Sequence, residues 1–113
     1  MEREMERLEK FRQLMSMLVR KWTVEIMYCL YTRRSMRFTE IRKLLGMNSR
    51  TLSNRLLELE QMGLVKRIVD VGKPVRVSYE LTSLGRVVGE RAYEGFEKLI
   101  DAWERANTEA SHS

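Results

Sequence analysis

Hydrophobic residues at steps of three and four predict a long helix near each end of the chain. The first helix covers residues 1 to about 18 of an N-terminal dimerisation segment, 1–20, and its stripe, whose spacing continues to Trp22, is narrow and lies between charged residues, which is typical of a helix that packs against another helix. It comprises Met5, Leu8, Phe11, Met15, Leu18 and Trp22. In the last helix, over 83–106, one face carries Leu84, Val88, Ala92, Phe96, Leu99 and Trp103. We expect a flexible tail over 107–113, which is small and polar.

The segment between these helices contains a different set of patterns. Residues 23–32 are apolar on almost every side, which predicts a central core helix. A short strand over 36–38 follows. Thr39 is then a plausible N-cap for a short helix that ends at Leu45, and Gly46 suits the turn that follows it.

A second short helix and a hairpin complete this central segment. Asn48 or Ser49 caps a helix that runs to about Met62, with Gly63 as its stop signal. Residues 65–71 and 75–81 read as two strands joined by Gly72-Lys73-Pro74. The order of elements predicts a mainly α protein with a small β-hairpin: a winged helix-turn-helix over 21–82, with long N- and C-terminal dimerisation helices.

The charge is concentrated on the predicted helix-turn-helix and wing. The formal net charge is +5, and 33–76 hold eleven Lys or Arg residues against four acidic residues, whereas 83–113 hold four basic residues against six acidic ones. Such a basic stripe favours a polyanion through counterion release, although a solvated basic surface would look the same.

Polar residues fill the first two turns of the second motif helix. Because Leu52 and Leu56 are predicted to point inward, these side chains should point outward, where a helix of this kind contacts bases in the major groove. The candidate DNA-reading residues are Ser49, Arg50, Thr51, Ser53, Asn54 and Arg55. An ordinary solvated helix face is the alternative, but this one has no acidic residue until Glu58.

Further basic residues flank that helix. Lys73 and Arg76 lie at the hairpin tip and could contact phosphate, or they could guard a sheet edge with charge. Arg37, Arg42 and Lys43 flank the first motif helix and are candidates for backbone contacts. The predicted dimer interface comprises Met5, Leu8, Phe11, Met15, Leu18, Trp22, Phe96, Leu99 and Trp103.

The sequence contains few residues suited to catalysis or cofactor binding. The only histidine, His112, lies in the predicted tail, and no residue spacing suggests a metal site, so we expect no enzyme activity and no cofactor. Cys29 reads as a small core residue. No apolar run is long enough for a membrane span, and we expect a cytoplasmic, nucleoid-associated protein.

Several motifs together resemble the HxlR-type winged helix-turn-helix regulators, which are close in fold to MarR. They are Lys21-Trp22-Thr23, Arg37-Phe38-Thr39-Glu40-Ile41, Ser49 to Leu56, Gly63-Leu64-Val65 and Tyr79 to Gly85. The resemblance implies a homodimeric transcription factor joined through its terminal helices, with 49–55 in the major groove and the Lys73 region as wing. Some members sense aldehydes or oxidants through a cysteine near the N-terminus, and residues 8–10 contain none.

The sequence therefore predicts a regulator that binds double-stranded DNA sequence-specifically, as a homodimer on an inverted repeat. A non-specific or architectural DNA-binding protein, and a winged helix that docks a protein partner, remain open alternatives. No small-molecule effector is identified by the sequence.

Overall fold

The computed structural model describes residues 1–112, with side chains through residue 110. The described chain folds into the elements α1 (Glu2–Leu18), α2 (Thr23–Arg33), β1 (Ser35–Arg37), α3 (Phe38–Leu45), α4 (Ser49–Gln61), β2 (Val65–Asp70), β3 (Arg76–Leu81) and α5 (Ser83–His112). This is the predicted winged helix-turn-helix between two long terminal helices. None of the described helices has the length and hydropathy needed to cross a membrane.

The three strands form one antiparallel sheet in the order β1-β3-β2. Met36 in β1 pairs with Tyr79 in β3, and the hairpin pairs run from Val65 with Leu81 to Asp70 with Arg76. The predicted hairpin is confirmed, as is the short strand before α3. That strand ends one residue earlier than predicted, because Phe38 is already the first residue of α3.

The strands of the hairpin are shorter at the tip than the sequence predicts. The sequence pattern predicts Val71 and Val75 in the strands, but both lie in the loop and are 83% and 64% exposed. The side chain of Asp70 accepts a hydrogen bond from the Gly72 N–H at 3.1 Å, which turns the chain just after β2. A β-branched residue favours a strand only when neighbouring strands give it a surface to pack against.

The core lies between α2, the helix-turn-helix and the inner face of the sheet. As predicted, α2 is central, with Ile26, Met27 and Leu30 at most 1% exposed. The buried hydrophobic cluster comprises Leu18, Ile26, Met27, Cys29, Leu30, Met36, Ile41, Met47, Leu52, Leu56, Leu59, Leu64, Val65, Tyr79 and Leu81. One core therefore fixes α4 and the base of the wing relative to each other.

The first motif helix begins earlier than predicted. Its N-cap is Arg37, not Thr39, and the Glu40 carboxylate accepts a hydrogen bond from the Arg37 N–H at 3.0 Å. Thr39 instead lies exposed in the first turn. A carboxylate at the third helical position can satisfy the N–H at the cap, so a hydroxyl at Thr39 is not needed there.

The last helix begins as predicted and ends later. Thr82 caps α5, since its Oγ1 accepts a hydrogen bond from the Gly85 N–H at 3.0 Å. The helix continues past the predicted end at Ala106 to His112, so residues 107–112 are helical and not the flexible tail that the sequence predicts. No Gly or Pro interrupts these residues, and Thr108 donates a hydrogen bond to the Glu104 carbonyl within the helix. Residue 113, also part of that predicted tail, lies outside the described residues.

The terminal helices extend away from the compact part of the chain. Residues 2–14 of α1 and 98–110 of α5 are all exposed. The Cα radius of gyration is 17.1 Å, whereas a compact domain of this length has about 13 Å. The first half of α5 packs on α2 through stacked Tyr28 and Tyr93, whose ring centroids lie 5.5 Å apart.

Candidate nucleic-acid interface

The core holds α4 so that its polar side faces outward. Leu52, Leu56 and Leu59 are at most 1% exposed and attach one face of the helix to the core. The turn before it places Gly46 at a φ of +66°, which favours glycine. Asn48 is the N-cap: its side-chain oxygen accepts hydrogen bonds from the N–H groups of Arg50 (2.8 Å) and Thr51 (3.3 Å). Gly46 and Asn48 therefore explain why the chain turns between α3 and α4 at the predicted place.

The structure brings most of the predicted reading residues onto one surface. Ser49, Arg50, Ser53 and Asn54 are exposed, and Thr51 is half-buried beside them. Nothing in the described part of the chain engages the Arg50 guanidinium in a hydrogen bond or ion pair. This surface offers donors and acceptors at the N-terminal end of a helix, which is where a groove-binding helix contacts base edges.

Arg55 is placed differently from the other five candidates. Its Nε donates a hydrogen bond to the Lys21 carbonyl oxygen at 2.9 Å, and its Nη1 lies 3.4 Å from Glu58 Oε1. Only 17% of its side chain is exposed. The guanidinium is thus turned toward the connection between α1 and α2. Sequence spacing could not reveal this, because the acceptor is a backbone carbonyl distant in the chain.

The wing presents the two predicted cations to solvent. Lys73 in the loop and Arg76 at the start of β3 are both exposed. The same tip carries the exposed side chains of Val71 and Val75. The tip therefore combines positive charge with apolar surface.

The cations around α3 occupy three different settings. Lys43 is exposed and Arg42 is half-buried. Arg37 is exposed, and together with Arg76 it lines a shallow depression of about 290 Å³ between the tip end of the hairpin and the start of α3. Glu40 and Asp70 line the same depression, so the positive charge there is partly balanced.

The predicted dimer residues divide into core residues and exposed ones. Leu18 is 8% exposed and belongs to the protomer's own core, and Met15 and Trp22 pack against that core. The remaining members are exposed to solvent in the protomer: Met5, Leu8, Phe11, Phe96, Leu99 and Trp103. Leu14, Met17 and Ile100 were missed by the sequence analysis, and they widen these exposed apolar faces.

Cys29 is part of the core. It is 5% exposed, and burial raises the pKa of its thiol. A reactive cysteine needs an accessible thiolate with a lowered pKa, so this environment is the opposite of a sensor site. Within residues 1–112, no group of His, Cys, Asp or Glu residues is arranged to hold a metal ion.

Known proteins with similar sequences place the chain in a family. The model of the HxlR-like helix-turn-helix family matches residues 17–109. The chain belongs to this family. The HxlR-like chain is 39% identical over 80 residues to YvaP of Bacillus subtilis strain 168, an uncharacterized HTH-type transcriptional regulator; the match covers 70% of this chain and 73% of YvaP.

Two solved structures share the fold over nearly the whole chain. A MarR-family regulator from Enterococcus faecalis V583 has a TM-score of 0.70 and 27% identity, covering 94% of this chain and 93% of that one. HypR, a redox regulator in its reduced form, has a TM-score of 0.71 and 25% identity, covering 91% and 97%. The HxlR-like chain is thus a helix-turn-helix transcriptional regulator, a class of DNA-binding proteins that are not enzymes. The predicted family and fold are confirmed.

Proposed function

We propose that this HxlR-like protein is a sequence-specific regulator that binds double-stranded DNA in the cytoplasm as a homodimer, on an inverted-repeat operator. The observation that carries the proposal is the exposed polar surface at the N-terminal end of α4. Ser49, Arg50, Thr51, Ser53 and Asn54 would enter the major groove. Arginine can bond to guanine in a bidentate manner and asparagine to adenine, so the surface has the chemistry to discriminate bases.

The wing and α3 would supply contacts that position the protein on the DNA. Lys73 and Arg76 at the wing, with Arg37, Arg42 and Lys43 around α3, would contact phosphates or sugars. Such contacts increase affinity for every sequence. Their electrostatic origin makes binding depend strongly on salt.

The exposed apolar faces of α1 and α5 support the homodimer. Leu8 is 53% exposed and Trp103 is 66% exposed in the protomer, and large exposed apolar surfaces are typical of association sites. A two-fold axis between the protomers calls for an inverted repeat, with half-site centres about 10 base pairs apart or a multiple of that distance.

Selection of bound duplexes from a random pool, followed by a salt titration, tests this function. We expect an enriched inverted repeat, and affinity for it that falls steeply, about 1,000-fold or more, between 50 and 200 mM salt if six or more phosphates are contacted. A pool that stays random although DNA is bound would indicate a non-specific or architectural protein. Absence of DNA binding at low salt would favour a protein-docking module and contradict the proposal.

A further inference from the structure

The link between α1 and α2, residues 19–22, is bonded to the proposed reading helix. Arg20 Nη1 lies 2.7 Å from Glu58 Oε1, and the Lys21 carbonyl accepts the hydrogen bond from Arg55 Nε. The same oxygen of Glu58 lies 3.4 Å from Arg55 Nη1. Arg55 and Glu58 therefore contact the link together, one turn apart on α4.

The contacts at this link help to set the direction of α1. Of the 17 residues of α1, Leu18 at the C-terminal end is the one that is buried, and 2–14 are exposed. A helix held only at one end is a lever, because a small rotation at its base displaces its far end by several ångströms over a length of about 25 Å. Leu18 and Met15 anchor the base in the core, and the bonds at the link add to what sets the direction of the helix and the position of Met5, Leu8 and Phe11.

The backbone of the link is itself unusual. Trp22 has a φ of +78°, in the left-handed region that residues other than glycine rarely adopt. Such a conformation persists when its surroundings hold it in place. The bond from Arg55 to the carbonyl immediately before Trp22, and the Lys21 ammonium 5.4 Å from the Trp22 ring centroid, are two of the contacts that surround it.

We propose that Arg55 and Glu58 are positioning residues that set the angle between the reading helix and the dimerisation helix, and so the half-site spacing that the dimer accepts. The proposal rests on the proposed function. It assigns Arg55 to the link and not to the bases. In the proposed dimer α1 forms part of the interface, so the angle at each link helps to set the separation of the two α4 helices, and loosened links would allow a wider range of separations.

Arg20→Ala is the most informative substitution. Arg20 is 49% exposed and its partner Glu58 is 32% exposed, and exposed ion pairs contribute little to folding stability. The variant should therefore fold with an unchanged melting temperature. Arg20→Lys keeps the charge and should restore the ion pair in part. Lys10→Ala is the matched control, since it removes one positive charge from an exposed position of α1 far from the link.

The experiment uses the full chain and the inverted repeat that the wild-type protein selects from a random pool. Affinity is measured for that duplex, for versions with one or two base pairs added or removed between half-sites, and for a single half-site. We expect the wild type and Lys10→Ala to lose about tenfold or more in affinity with each altered spacing, because each base pair rotates a half-site by about one tenth of a turn. The affinity of Arg20→Ala should vary less than about threefold across the series, and that of Arg20→Lys should vary by an intermediate amount.

The single half-site separates a positioning role from a direct contact. One protomer needs no fixed spacing, so Arg20→Ala should bind a single half-site as the wild type does. A spacing profile of Arg20→Ala identical to that of the wild type would overturn the proposal, as would a wild-type profile without an optimum. Both results leave the proposed function intact, provided that the random pool yields an enriched sequence. If the pool yields no enriched sequence, the proposed function itself is wrong.

Discussion

The backbone of Gly85 packs directly against the carbonyl oxygen of Leu64, so closely that a methyl group at position 85 would overlap with that oxygen. The same oxygen accepts a hydrogen bond from the Thr82 N–H at 3.0 Å. Leu64 leads into β2 of the wing, and Gly85 lies in the first turn of α5. This close approach therefore attaches the last helix to the base of the wing.

Gly85→Ala should destabilise the protein because the added methyl meets backbone, which cannot move aside as a flexible side chain can. We expect a loss of about 2–3 kcal/mol in the free energy of unfolding. Gly95→Ala is the matched control in the same helix, where nothing lies within 4 Å of an added Cβ, and it should gain about 0.5–1 kcal/mol. Urea unfolding at one protomer concentration measures both. Equal effects of the two substitutions would contradict this account.

The two asparagines near the start of α4 should have separable roles. Asn48 caps the helix and Asn54 is exposed within it. Asn48→Ala should lower stability by about 1 kcal/mol, since two N–H groups lose their acceptor. Asn54→Ala should raise stability slightly, because Ala is the better helix former, and should alter the preference among DNA sequences. Thermal unfolding of each variant, with binding to the selected operator and to single-base variants of it, distinguishes the two. A destabilised Asn54→Ala would place Asn54 in a structural role.

Local patterns in the sequence were sufficient to predict the order of the elements. Leu52, Leu56 and Leu59 specify one buried face, and Gly46 and Asn48 specify the turn before it, so α4 follows from adjacent residues. Gly63, the predicted stop signal of α4, likewise follows the helix end, with a φ of +74°. Each of these features depends on residues within a few positions of one another.

What the sequence could not reveal depends on contacts between distant residues. Arg55 looks like a groove residue by helical spacing, but its guanidinium bonds to the Lys21 carbonyl 34 positions away. Leu18 fits the exposed stripe of α1 by spacing but is buried in the protomer's core. A periodic pattern shows which residues share a face, and it does not show what packs on that face.

Arg50 and Lys73 should differ in how they affect DNA binding. Arg50→Ala should cost about 1–3 kcal/mol on the operator and relax the preference at one base position. Lys73→Ala should weaken binding to all sequences alike and reduce the salt dependence by about one counterion. Competition binding with operator and scrambled duplexes, repeated at several salt concentrations, measures both effects. If Arg50→Ala bound the operator as tightly as the wild type, the groove assignment of α4 would be wrong.

Cys29 should be unreactive in the folded protein. Burial raises the pKa of its thiol, so even less thiolate forms near neutral pH than the few per cent expected of a free cysteine. Iodoacetamide should modify Cys29 slowly in buffer and rapidly in urea. Diamide treatment should leave DNA affinity unchanged. Rapid modification of the folded protein would reopen a sensor role.

The raised pKa of Cys29 also means that the unfolded chain loses this proton at a lower pH than the folded protein does, so the free energy of unfolding should fall as the pH rises above about 8.5.

Leu8 should be required for the dimer and dispensable for the fold of the protomer. Leu8 is 53% exposed on α1, in the face proposed to contact the partner chain, and Leu57 on α4 is exposed to the same 53%. Leu8→Glu would place a charge in the proposed interface, and an unpaired charge there costs several kcal/mol, so dimerisation should weaken at least about 100-fold. Leu57→Glu makes the same chemical change outside that interface and should remain a dimer. Sedimentation equilibrium at micromolar concentrations measures both, with circular dichroism to confirm that each variant is helical. A monomeric wild type, or a dimeric Leu8→Glu variant, would show that the apolar stripe of α1 does not hold the two protomers together.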